Sequence, residues 1–334
     1  MSFFAILCAL LIEQVRPLAY HNPVYGGVLA WTRWTSRNFD AGKPHHGWVA
    51  WCLAVLMPTL IVLGVHWLLV LTLGLPFAVL WSIAVLYVTL GFRQFSHHFT
   101  GIRDALDEGD EPLARSLLAH WQHVDAADLP RSEIVRHVIE HSVIAAHRHV
   151  FGVLAWFSVL AAIGLGPAGA VFYRMSEFVS RYWIHKNGAS MQPSSIWVQQ
   201  AARRAWTLID WLPARITALG FAVVGSFEEA IDCWRNDARR FPNENDGVIL
   251  AATSGAVNVR LGGGTLSAAP VLADPLSRAQ AGDSFAGGRG PDSGSTPGRE
   301  PEPAHLRSVV GLVWRSVVMW MVLLALLTLA RLLG

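Results

Sequence analysis

Histidine, glutamate and arginine recur in this chain at spacings that could do chemistry. His137-Val-Ile-Glu140-His141 sets two imidazoles on one face of a helix with a carboxylate between them. Zinc hydrolases use that spacing, with the histidines as ligands and the glutamate as base on a metal-bound water. The pattern fixes only three residues, no distal carboxylate ligand is identifiable, and 93–149 alone holds eight of the 14 histidines. It is therefore read as a solvated polar helix face, and no metal site is assigned. His147-Arg148-His149 stands directly ahead of an apolar run, as an interfacial polar cap or as ligand-facing groups. Asp210 precedes Pro213, a residue suited to a first helical turn, and can cap the helix that starts there. Arg215 projects from that otherwise apolar helix. A charge so placed is costly and is commonly paired or functional, and Asp210 is its available partner.

Arg239 and Arg240 can grip phosphate or carboxylate, and Asn243 can orient a polar ligand. The same residues also fit a capped helix start with a solvated basic pair. Arg260 follows the small-residue helix Val248 to Val257 and precedes Gly262-Gly263-Gly264. Those glycines are no phosphate loop, because no Gly-Lys-Ser/Thr follows. The acidic run Asp107-Glu108-Gly109-Asp110-Glu111 reads as a solvated loop.

The elements that must hold these groups are membrane helices. Hydrophobic residues make up 53% and charged residues 15% of the 334 residues, against about 25% charged in a soluble domain. The 15 tryptophans suit the lipid–water boundary. With 26 basic and 24 acidic side chains, the net charge of +2 excludes the concentrated basic face of a nucleic-acid binder. Cys8, Cys52 and Cys233 form no disulfide framework. Met1 to Ile12 lacks the basic start and the cleavage site of a secretory signal and is expected to be a retained helix.

Trp48 to Phe92 is a run of 45 residues without Asp, Glu, Lys or Arg, and one span needs about 20. Gly74-Leu75-Pro76 breaks it into a helical hairpin, 48–72 and 76–92. Val150 to Phe172 is apolar again, but Gly164 to Gly169 makes a straight helix doubtful, and arginines on both sides lean towards a re-entrant hairpin. Gly262 to Arg307 is rich in Gly, Pro and Ser and is expected to be a flexible linker. The segments are 1–47, an N-terminal helix and polar loop; 48–92, the hairpin; 93–149, a His-rich extramembrane helical segment; 150–262, the membrane and polar-site region; 263–307, the linker; and 308–334, a final span. The fold class is all-α: a polytopic integral membrane helical bundle with one extramembrane helical segment and a disordered linker.

Pro213-Ala214-Arg215-Ile216-Thr217-Ala218-Leu219 resembles the PAR-hydrophobic-TAL signature of the CobD/CbiB membrane proteins of cobalamin biosynthesis. Asp237 to Gly263 is similar to that family's later block, with Pro242-Asn243, Gly247 and Gly255-Ala256-Val257-Asn258-Val259-Arg260-Leu261-Gly262-Gly263 as the matching residues. Asn22-Pro23-Val24 after His21 echoes its early HPV. The resemblance covers about residues 1–262. It implies a bacterial inner-membrane, multi-pass synthase that joins adenosylcobyric acid to aminopropanol or its phosphate as an amide, with ATP and Mg²⁺ as cofactors. Membrane lipid and a corrinoid or aminopropanol ligand are then the expected partners, with no nucleic acid. The family's central carboxylate motif falls where His147, Arg148 and His149 stand, and its later Asp-bearing motif falls at Arg174-Met175-Ser176-Glu177. Glu13, Glu177, Glu244 and Asp246 are the acids left to replace them. The AmpE accessory proteins of β-lactamase induction resemble the chain in the same regions and share these losses, so a non-catalytic sensor or scaffold stands as the alternative. If the chain binds an anionic or amide-rich ligand such as a corrinoid, Asp210, Arg215, Arg239, Arg240, Asn243, Arg260, His147, Arg148 and His149 are the expected ligand-binding residues; on the scaffold reading Asp210 and Arg215 simply pair and the histidines face solvent.

Overall fold

The computed structural model describes residues 2–16, 23–122, 125–185, 194–263 and 294–333. In chain order the helices are α1 (Ser2–Val15), α2 (Pro23–Phe39), α3 (Pro44–Thr72), α4 (Leu75–Thr89), α5 (Phe92–Asp107), α6 (Glu111–Gln122), α7 (Arg131–Ala146), α8 (Gly152–Ala162), α9 (Ala168–His185), α10 (Ile196–Val224), α11 (Phe227–Asp237), α12 (Glu244–Val257) and α13 (Pro303–Leu333). Among the described residues there is no β-sheet beyond an isolated bridge between Val259 and Arg299. Four helical stretches are long and apolar enough to cross a membrane: Pro44–Thr72, Arg131–Ala162, Ile196–Val224 and Pro303–Ala330. The chain is thus the all-α membrane bundle its composition requires. It divides into two compact units, one of 1–94, 148–213 and 321–334, the other of 95–147 and 214–320.

In the first unit, α3 and α4 form the hairpin expected from the uncharged run, and Gly74 turns it with φ 90°. The side chains of Leu60, Ile61, Leu68 and Leu71 point outward and are exposed, as a lipid-facing surface requires. The polar loop expected before residue 48 holds a full helix, α2. Its Thr32 and Thr35 hydroxyls donate to the carbonyls of Val28 (2.9 Å) and Trp31 (2.8 Å), so their polarity is spent within the helix. The apolar run 150–172 does not continue as one helix. It reverses at Gly164 to Pro167, and α9 packs back along α8, with Gly152 making room for the Tyr173 ring and Gly169 for the Trp156 carbonyl. The glycine-rich stretch that made one straight helix doubtful is thus where the chain turns.

Two prolines sit inside long helices of this unit, and each leaves a carbonyl without its usual partner. Proline has no N–H, so the carbonyl four residues earlier loses its helical hydrogen bond. For Pro58 that carbonyl is Ala54, and it accepts from the Trp31 indole N–H at 3.3 Å. For Pro213 it is Ile209, and it accepts from the Trp156 indole N–H at 3.0 Å. Pro213 therefore starts no helix: α10 runs through it from Ile196 to Val224, and Asp210 lies mid-helix, not at a cap.

In the second unit α7 is the central helix, buried on every face from Ile134 to Ile144. Its helix does not stop at the expected 149/150 boundary; a π-helical turn at His147–Phe151 carries it into α8. α11 and α12 pack with backbone almost touching, because Gly255 faces the Glu229 carbonyl and Gly247 the Ala238 carbonyl. Asn258 ends α12 in the left-handed conformation (φ 52°), one of the few non-glycine residues that does so cheaply. The expected linker 263–307 is only partly that. Residues 264–293 lie outside the described residues, 303–307 belong to α13, and 294–302 dock on the end of α12. There the Arg260 N–H donates to the Arg299 carbonyl (2.8 Å), the Thr296 N–H to the Leu261 carbonyl (2.8 Å), and the Ser254 hydroxyl to Thr296 Oγ1 (2.7 Å).

The proline–tryptophan pairing makes a prediction. Trp156→Phe should strand the Ile209 carbonyl and cost about 1–3 kcal/mol, read as a lowered melting temperature in detergent. In a Pro213→Ala background residue 213 regains its N–H and can take that carbonyl back, so the same Trp156→Phe change should cost much less.

Candidate polar site

The polar centre of the second unit is built on α7. The Arg136 guanidinium, 3% exposed, donates from Nε to Glu133 (3.0 Å) and from Nη1 to Glu140 Oε1 (3.1 Å). Glu140 also accepts the Gly262 backbone N–H at 2.7 Å, which fastens the glycine turn after α12 to the middle of α7. His137 Nε2 lies 2.9 Å from Arg136 Nη2. A guanidinium can only donate, so that nitrogen must be the acceptor of a neutral imidazole. The residues read as a solvated face are thus buried: His137 is 4% and Glu140 4% exposed. They are also no zinc site, since a cation occupies one histidine nitrogen and pairs with the carboxylate.

Arg215, beyond Pro213 on α10, bonds the Asn245 side-chain oxygen and donates from Nη2 to Glu244 Oε1 at 2.7 Å. The Asn243 side chain caps α12 by accepting the Asn245 N–H (3.2 Å) and donates to Asp246 Oδ2 (2.9 Å). Asn243 therefore orients the start of α12, as its turn-rich context predicts, and that start meets Arg215. Arg240 pairs with buried Asp237 (2.6 Å) and donates to the Ser295 carbonyl (3.1 Å), while Arg239 and Arg260 are exposed. His147 is fully buried, with Nδ1 2.9 Å from Thr217 Oγ1. Burial, then the Asp237 charge, pushes the thiol of Cys233 on α11 above the ordinary range.

The first unit holds its own polar group. Asp210, fully buried, accepts from the Tyr173 hydroxyl at 2.8 Å. An ion pair between Asp210 and Arg215 was the simplest reading of the sequence. Five residues apart on a helix they face different directions, and each has a partner elsewhere, Tyr173 for one and Glu244 with Asn245 for the other. One turn past Tyr173, buried Glu177 lies between Arg174 (3.0 Å) and Arg181. Arg148 is buried and His149 half-buried in this unit. Asp210, Arg148 and His149 thus belong to the first unit, and His147, Arg215, Arg239, Arg240, Asn243 and Arg260 to the second.

Sequence reasoning passed over Tyr173, Arg136, Asn245 and Thr296. The i, i+3, i+7 spacing of Arg174, Glu177 and Arg181 could have flagged α9 as a charged helix face. Nothing local marked Thr296, whose role depends on residues some forty positions earlier. Of the four acids named for Mg²⁺, three are engaged, Glu177 by arginines, Glu244 by Arg215 and Asp246 by Asn243, and Glu13 is buried on α1. Among the described residues no three His, Cys, Asp or Glu side chains converge. A protein-built Mg²⁺ cage does not fit these donors.

The profile of the CobD/Cbib protein family matches residues 3–282. The Cobalamin biosynthesis protein CobD of Stutzerimonas stutzeri strain A1501 is 31% identical over 327 residues, 96% of each chain. The protein of that name in Chromobacterium violaceum is 35% identical over 182 residues, 54% of this chain and 55% of its own. That of Leptospira interrogans serovar copenhageni is 29% identical over 225 residues, 64% of this chain and 66% of its own. No solved structure matches. These relatives lend no support to the AmpE-like alternative.

The Arg136–Glu140 pair gives a stability test. Glu140→Ala should cost about 3 kcal/mol, the low end for a broken buried pair, because Glu133 still holds the guanidinium. Glu140→Gln keeps an acceptor for the Gly262 N–H and should lose less. Thermal unfolding followed by size-exclusion chromatography in detergent would rank the two.

Proposed function

This chain belongs to the CobD/CbiB family of cobalamin-biosynthesis membrane proteins, and from that premise we propose that it is a synthase of the adenosylcobinamide-phosphate type. On this reading it joins a carboxylate of adenosylcobyric acid to the amine of aminopropanol or its phosphate, as a multi-pass protein of the bacterial inner membrane. The observation that carries the proposal is the match to a CobD along 96% of both chains, together with the retained 213–219 and 237–263 blocks.

The chain's own side chains suit an anionic, amide-rich ligand. Arg239 and Arg260 are exposed and can grip carboxylate or phosphate in bidentate fashion. Arg240 is set by Asp237 and Ser295, and Arg215 fixes the start of α12 that carries Asn243 and Asn245. Amide formation from a carboxylate and an amine is uphill in water, and ATP, when bound, supplies the driving force. The residues named here bind and orient the reactants, and no step is assigned to Mg²⁺.

Rescue of a bacterium lacking its own CobD/CbiB synthase tests this. The expected result is growth under conditions that demand cobalamin made from cobyric acid. No growth, with the protein present in the membrane, would contradict it. In the rescued strain Arg239→Ala and Arg260→Ala should leave the melting temperature unchanged. Each should lower kcat/KM roughly ten- to hundredfold, the loss of one hydrogen bond to a charged group.

A further inference from the structure

α10 meets the length and composition of a membrane crossing, but its charges are misplaced for one. Leu208, Trp211, Leu212, Leu219 and Val223 are exposed along one side of the helix, while Trp206, Asp210, Thr217 and Phe221 are buried on the other. Arg204 and Arg215 fall on the exposed side, at helical spacing from Leu208, Trp211 and Leu219. Arg215 does not stretch along the helix towards a distant interface. Asn245 and Glu244 hold it where it stands, and Glu244 is 69% exposed, so polar surroundings begin at that level. Between the two arginines, 205–214 offers about 15 Å of helix, half of the ~30 Å hydrocarbon layer. Beyond Arg215, residues 216–225 offer no more before the exposed Glu228 and Glu229.

We propose that α10 does not cross the bilayer but lies in its interface. The apolar stripe sits at the headgroup–acyl boundary, and Arg203 and Arg204 reach the lipid phosphates. The occupant of the stripe is the bilayer that the α3–α4 hairpin already requires. Trp211, at the centre of the stripe, is the side chain that favours this depth. It follows that the two ends of α10 open on the same side of the membrane.

The test uses the full chain with Cys8, Cys52 and Cys233 replaced by alanine and single cysteines at exposed positions, Arg204→Cys and Glu228→Cys. A membrane-impermeant maleimide is applied to right-side-out and to inverted vesicles, with labelling in detergent as reference. Both cysteines should label in the same vesicle orientation; labelling in opposite orientations overturns the proposal. Should either variant fail to fold, Arg203→Cys and Glu229→Cys serve the same purpose. A bimane on Leu208→Cys and on Leu219→Cys should be quenched equally, and best by lipids brominated near the headgroup. Quenching that deepens from one position to the other, or that is absent at both, overturns it as well.

Discussion

In apolar surroundings a polar group without a partner costs more than most single contacts contribute, and this fold is arranged around that constraint. A helix satisfies its own backbone, which is why helices span bilayers, and the two proline gaps described here each come with a repair. Pro58 and Pro213 open gaps in α3 and α10, and the indoles of Trp31 and Trp156 fill them. Arg136 enters the fully buried helix α7 only with Glu133 and Glu140 beside it, and Glu140 in turn takes the Gly262 N–H. Some of the tryptophan richness that signals a membrane setting is therefore structural hydrogen bonding and not interfacial anchoring.

The hairpin of α3 and α4 was legible because its signal is local and strong: a long uncharged run with a glycine–proline break. The turn between α8 and α9 was legible for the same reason. The 93–149 segment misled because its histidines and charges look like a solvated face. A helix whose polar groups pair with one another can be buried all round, and pairing is a tertiary fact that spacing alone does not show. The docked strip 294–302 was hidden in Gly, Pro and Ser composition. Only the Thr296 hydroxyl, held by Ser254 and Leu261, distinguishes it from linker. Pro213 at the head of an apolar run reads as a helix start, and nothing in sequence announces the distant Trp156 that lets the helix pass through it.

Of the candidate ligand-binding residues, Arg215 and Asn243 meet at the first turn of α12, which Asn243 caps. Arg215 bonds the first turn of α12, so the two blocks that carry the family resemblance, 213–219 and 237–263, are joined by hydrogen bonds. That gives a physical reason for the two blocks to occur together. Arg239 and Arg260 are exposed, while Asp237 holds Arg240, and Glu140 and Asn243 accept the backbone N–H groups of Gly262 and Asn245.

The central claim is that these blocks still serve amide synthesis on a corrinoid. The most direct measurement is mass spectrometry of the corrinoid after incubating the purified protein in lipid nanodiscs with adenosylcobyric acid, aminopropanol phosphate, ATP and Mg²⁺. The account predicts a product heavier by one aminopropanol phosphate less one water, formed only when ATP is present. Unchanged adenosylcobyric acid, from protein that is folded and monodisperse, would contradict it.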